Sequence, residues 1–147
     1  MKTRLFSRRA LGGLLALVPL APDASAEPVI SEFLASNTRT LADETGTYAD
    51  WIEIHNPDPL PLNLAGWHLT DTARDLAQWT FPAVVLPPGG YLLVWASGRD
   101  RREPGRPLHT NFELSKKGEY LALVKPDGVT VTAEFAPVFP AQSEDVS

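Results

Sequence analysis

Two hydrophobic patterns divide the chain. Residues 1–26 start with Lys2, Arg4, Arg8 and Arg9, continue through an apolar run of 11 residues from Ala10 to Leu20, and close on Ala24-Ser25-Ala26. A basic start, a short apolar centre and a small-residue cleavage motif are the three parts of a secretory signal peptide, with the predicted cut between Ala26 and Glu27. The apolar run is about half of what a hydrocarbon core of about 30 Å demands of a spanning helix. Beyond the leader the pattern changes to runs of four to seven residues separated by Pro, Gly, Asn and Asp. Strands are predicted over Val29–Ala35, Asp50–Asn56, Gly66–Thr70, Gln78–Phe81, Tyr91–Ala96, Glu119–Val124 and Val129–Phe135.

The runs YLLVW (91–95) and YLALV (120–124) are continuously apolar and bounded by turn residues, as central strands of a sandwich are. Pro87-Pro88-Gly89-Gly90 and Pro126-Asp127-Gly128 supply reversals, since proline fixes φ and glycine accepts φ > 0. The second lies between two strand-like runs and predicts a hairpin. No stretch after the leader sustains a 3.6-residue period, and Thr38–Glu44 and Thr72–Ala77 are expected to hold a helical turn at most. Short strands at this spacing predict an all-β sandwich or barrel.

Charge and composition narrow the function. At 147 residues the chain is one domain's worth of sequence, divided as leader 1–26 and domain 27–147. The domain holds nine of the thirteen basic residues and seventeen of the eighteen acidic ones, a net charge of −8. Neutralising phosphates needs clustered Lys and Arg, so nucleic acid is an unfavoured partner. There is no cysteine, hence no disulfide framework, and stability must come from the core. Ser7-Arg8-Arg9-Ala10-Leu11 resembles a twin-arginine export signal, with the general secretory route equally open.

The candidate chemistry gathers in LADETGTYADWIEIHN, residues 41–56. Asp43, Glu44 and Asp50 around Gly46 are the candidate ligands for Ca²⁺, which takes six to eight hard oxygens. The spacing is not that of an EF-hand loop, and the competing reading is a tight turn with Asp43 closing an Asx-turn. Alternation along a strand sends Asp50 and Glu53 to opposite faces, so they form no catalytic pair. Glu53 and His55 share a face about 7 Å apart, too far for direct hydrogen bonding. His55, His68 and His109 lack metal-ligand spacing, and Ser36, Ser97 and Ser115 lack a nucleophile-elbow context. Trp67 and Trp95 are expected in the core, whereas Trp51 and Trp79, beside Asp50 and Gln78, are the exposed pair that could present aromatic faces for binding. Arg99, Arg101, Arg102 and Arg106 form a basic cluster expected to be a solvated, mobile loop.

Six motifs follow in order: ISEFLASN (30–37), DWIEIHN (50–56), LAGWHLTD (64–71), WTFP (79–82), LPPGGYL (86–92) and NFELSKKGEYL (111–121). Together they resemble a bacterial lamin-tail domain, and the resemblance spans nearly the whole of 27–147. It implies an immunoglobulin-like β-sandwich of about seven to nine short strands, without a catalytic site of its own. Such modules are parts of secreted or surface proteins, often beside hydrolase or spore-coat-kinase-like domains.

The expectation is therefore an exported, non-catalytic module of the periplasm, cell surface or extracellular space, acting in surface recognition or adhesion. Its partner would be a protein or glycan surface or a neighbouring domain. The alternatives are an accessory or tethering domain of a longer exported enzyme, or a Ca²⁺-stabilised adhesion module.

Overall fold

Asp50–His55 shows how the alternation becomes a layer. Ile52 and Ile54 are wholly buried in the main core, while Trp51, Glu53 and His55 face the other way. In the computed structural model, which describes residues 27–147, ten strands form without a helix. The predicted leader, with Ala26 and Ser7-Arg8-Arg9, lies outside the described residues, of which Glu27 is the first. The strands are β1 (Val29–Leu34), β2 (Asp50–His55), β3 (Leu62–Asn63), β4 (His68–Thr70), β5 (Trp79–Thr80), β6 (Val85–Leu86), β7 (Tyr91–Ala96), β8 (Leu108–His109), β9 (Leu121–Val124) and β10 (Val131–Phe135).

One sheet has the order β1-β2-β7-β8 and the other β10-β9-β4-β5, with β3-β6 a small third sheet. All pairings are antiparallel except β7 with β8. This is an immunoglobulin-like β-sandwich. Its core lies between the two larger sheets: Ile30, Phe33, Ile52, Ile54 and Val94 from the first meet Leu69, Trp79, Leu121 and Leu123 from the second. Each large side chain removed from water there contributes about 2 kcal/mol. No helix among the described residues is long and apolar enough to cross a membrane.

All seven predicted strands are present, Tyr91–Ala96 with the bounds predicted and the other six with shortened ends, and three two-residue strands, β3, β6 and β8, come in addition. Thr38–Glu44 and Thr72–Ala77 form bends and turns rather than helical turns. The hairpin at 126–128 is closed by Gly128 N–H to Lys125 O (2.9 Å) and Lys125 N–H to Thr130 O (2.8 Å).

The chain after β10 returns to β1. Phe139 is 1 % exposed and packs on Phe33 at 4.7 Å between ring centroids. The Gln142 amide accepts from Ala35 N–H (2.6 Å) and donates to Phe33 O (3.4 Å). The Asp145 carboxylate accepts from the N–H groups of Thr38 and Arg39.

The tryptophans correct the sequence reading. Trp79 is 0 % exposed and Trp51 is 9 % exposed, so neither offers an aromatic face. The cause is alternation itself: neighbours in a strand point to opposite faces, so the polar residue beside each tryptophan says nothing about the tryptophan's own side. Trp67 joins the main core, whereas Trp95 packs with Trp51 and Leu34 in a separate cluster on the outer face of the first sheet.

Candidate functional site

The loop between β1 and β2 is organised by its own short polar side chains. Asn37 Nδ2 donates to the carbonyls of Leu41 (2.6 Å) and Ala49 (2.8 Å), and Asn37 N–H donates to Asp50 Oδ1 (2.9 Å). Inside that frame, Asp43 Oδ1 accepts from Thr45 N–H (2.8 Å), Thr45 Oγ1 (2.7 Å) and Thr47 N–H (3.0 Å). Gly46, at φ +80°, closes the turn with its N–H on Asp43 O. An aspartate followed by threonines and a glycine folds this way because its carboxylate replaces a carbonyl in capping the backbone.

The connection from β7 to β8 brings the arginines onto this turn. Arg99 Nη1 donates to Asp43 Oδ2 at 2.7 Å, and Arg101 pairs with Glu44. Arg102 pairs with Asp100 and Arg106 with Glu103. The basic cluster is thus neutralised, and it differs from the free solvated loop expected from sequence because Arg99 and Arg101 find counter-charges on the β1–β2 loop while Arg102 and Arg106 pair within their own connection. Burial pushes the Asp43 carboxyl up, but the Thr45 and Thr47 hydrogen bonds and the Arg99 charge outweigh it and hold the pKa at about 2. Glu44 is also lowered: its own backbone N–H, Arg101 and His109 overcome burial.

His109, wholly buried, sits beneath Glu44. Its Nε2 is 3.2 Å from Glu44 Oε2 and its Nδ1 is 2.8 Å from Ser97 Oγ. An ionised carboxylate only accepts, so Nε2 carries the proton, and in the neutral ring Nδ1 accepts from the serine hydroxyl. The order carboxylate–imidazole–hydroxyl is that of a nucleophile relay, but Glu44 is shared with Arg101 and the imidazole is closed in against Trp95 (6.4 Å between centroids). This geometry braces the β1–β2 loop against β7 and β8.

The Ca²⁺ candidates do not converge. Asp43 and Glu44 meet His109, with ligand atoms within 4.8 Å of one another, while Asp50 lies elsewhere in the pocket described below. This trio does not fit Ca²⁺, because Asp43 is filled by N–H and O–H donors, two guanidinium groups supply the counter-charge, and imidazole is not a hard oxygen ligand. Glu53 accepts from Ser31 Oγ (2.6 Å) and His55 stacks on Tyr91 at 4.3 Å, so that pair is engaged separately.

Between the two connections lies a pocket of about 310 Å³, lined by Thr47, Tyr48, Ala49, Asp50, Ala96, Ser97, Arg99 and Glu113. Burial raises the Asp50 carboxyl, the Asn37 N–H partly offsets this, and the nearby Glu113 charge raises it further. Glu113, an exposed residue, is bridged to Ser97 through its backbone, and its carboxylate has no hydrogen-bond or ion-pair partner among the described residues. Tyr48 stands at the pocket 47 % exposed. Of the residues singled out from sequence, Asp50, Ser97 and Arg99 belong to this concavity, although each stands out there for a different chemistry. Ser97 and Arg99 follow β7, the neighbour of β2, Glu113 is bridged to Ser97, and Tyr48 stands in the turn before β2. An exposed aromatic within an otherwise polar turn was the one local signal available.

A sequence model of the lamin tail domain family matches residues 21–136, a span that includes all ten strands. No curated protein matches the chain.

Proposed function

The chain belongs to the lamin tail domain family, whose members are non-catalytic immunoglobulin-like modules, and from that premise we propose that it is an exported recognition module. The leader pattern supports export to the periplasm, cell surface or surroundings, and the −8 balance of residues 27–147 supports a partner other than nucleic acid. The observation that carries the reading is the pocket beside the acidic turn. Two ion pairs, Asp43–Arg99 and Glu44–Arg101, hold its surroundings, while the carboxylates of Asp50 and Glu113 are left largely unused by the fold. Fixed concavities with a few convergent polar groups are where proteins hold ligands.

The test is capture of envelope and secreted components by the purified chain, compared with a variant carrying Tyr48→Ala, Asp50→Ala and Glu113→Ala. A component retained by the first and lost by the second, with both proteins folded, is the expected result. Equal capture by both, or by neither, would sink the pocket as the recognition site.

A further inference from the structure

The pocket has a sign. Asp50 and Glu113 both line it, and the charge of Glu113 reaches the Asp50 carboxyl and adds to the burial that raises its pKa. The cation among the lining residues, Arg99, is turned onto the Asp43 carboxylate at 2.7 Å, so its charge is already balanced. The half-buried Asp50 carboxylate receives one N–H, from Asn37, on Oδ1, and the exposed Glu113 carboxylate receives no donor among the described residues, leaving it to solvent or a ligand. A third acceptor, Ser97 Oγ, lines the same space with its proton directed to His109 Nδ1 in the neutral ring. Tyr48 adds a half-exposed aromatic surface.

Resting on the recognition reading above, we propose that this pocket receives the ε-ammonium of a lysine side chain presented by a partner protein. Lysine brings three donors on a compact point charge, which suits acceptors arriving from separate chain segments. A guanidinium instead favours one carboxylate in a planar, bidentate pair. Two carboxylates and a hydroxyl fall short of the six to eight oxygens of Ca²⁺. An N-acetylated sugar would bring no charge to relieve the mutual repulsion of Asp50 and Glu113. The Tyr48 ring gives the methylene stem an apolar surface to lie on, and its face attracts the cation. The acidic excess of residues 27–147 attracts a basic partner at longer range.

The probe is the blocked tripeptide acetyl-Gly-Lys-Gly-amide, titrated into the full chain and followed by amide chemical shifts. The norleucine counterpart and glucosamine are run beside it. The expected result is saturable shifts at Tyr48–Asp50, Ser97 and Glu113 with the lysine peptide and none with norleucine. Asp50→Asn and Glu113→Gln should each weaken binding about fivefold, the effect of about 1 kcal/mol. Equal shifts with lysine and norleucine, unchanged affinity in the double variant, or no lysine-induced shift up to about 10 mM, where a binding free energy of about 3 kcal/mol would still register, would overturn the assignment. Glucosamine saturating the pocket where lysine does not would overturn lysine while leaving the recognition site standing. Failure of the site itself is read separately, from equal envelope capture by wild type and the triple variant.

Discussion

Arg99 Nη1 lies 2.7 Å from Asp43 Oδ2, although the two residues stand 56 positions apart in the chain. The pair joins the β1–β2 loop to the β7–β8 connection, with the Asp43 side chain fully buried and that of Arg99 one-third exposed. Arg99→Ala leaves a buried carboxylate with backbone and threonine donors but no counter-charge. We expect a loss of about 2 kcal/mol, below the full cost of orphaning a buried charge because those donors remain. The urea midpoint measures it. Arg99→Lys should recover part of the loss, as a point charge on the same partner.

Acid should attack the same turn. The Asp43 pKa is depressed to about 2, so its stabilisation is complete above the unfolded value near 3.8 and is lost as pH falls through about 2. Glu44, also lowered, acts with the same sign. Asp43→Asn should therefore be less stable than wild type at neutral pH, with the gap closing between about pH 4 and 2. Urea titrations at stepped pH values would show it, and a constant gap would contradict the assignment.

Asp50 has the opposite sign. Its pKa is raised by burial and by Glu113, so ionising it in the folded state costs stability, a cost that appears as pH rises past the unfolded value. Asp50→Asn keeps an acceptor for Asn37 N–H and removes the charge. It should raise the melting temperature at pH 7 and make no difference near pH 3. A carboxylate held at the expense of stability is what the proposed recognition site requires of Asp50.

Gly118 tests the return of the chain to the core. Its φ is +92°, and an added Cβ would lie 2.1 Å from Phe139 O, a backbone atom that cannot swing aside. Gly118→Ala should cost at least about 2 kcal/mol, combining left-handed strain with displacement of the Phe139 segment. Tolerance of alanine in a thermal melt would show that this segment packs differently.

Gln142→Ala removes the two hydrogen bonds to Ala35 N–H and Phe33 O. The expected loss is about 1 kcal/mol, together with concentration-dependent association through the uncovered edge of β1. Light scattering coupled to gel filtration would separate the two effects.

The strands that could be read from sequence were those with their own period or their own bounding turns, such as Tyr91–Ala96 between Gly90 and Gly98. The missed ones are two residues long and exist because a partner is there: Leu62–Asn63 against Val85–Leu86, and Leu108–His109 beside Val94–Trp95. The pocket itself was not legible: Asp50, Ser97 and Arg99 stand out separately in the sequence and meet only through the pairing of β2 with β7, and Glu113 joins them by its bridge to Ser97. Trp51 and Trp79 failed for a related reason. Exposure belongs to a face, and which elements cover that face is not written in the adjacent residue.

The Gln142 amide gives to Phe33 O and takes from Ala35 N–H, which is the pattern one residue of a parallel neighbour would make opposite Leu34. A side chain here counterfeits a strand. β1 therefore meets a covalently attached decoy at the point where a foreign chain would begin to zip, and the protection is local and permanent. Proteins commonly guard such a margin with lysine, proline or a twist away from the sheet. A decoy adds its guard at Phe33–Ala35, beyond the break in register that β1 carries between Ile30 and Glu32, and leaves Ile30 and Phe33 free to be chosen for the core.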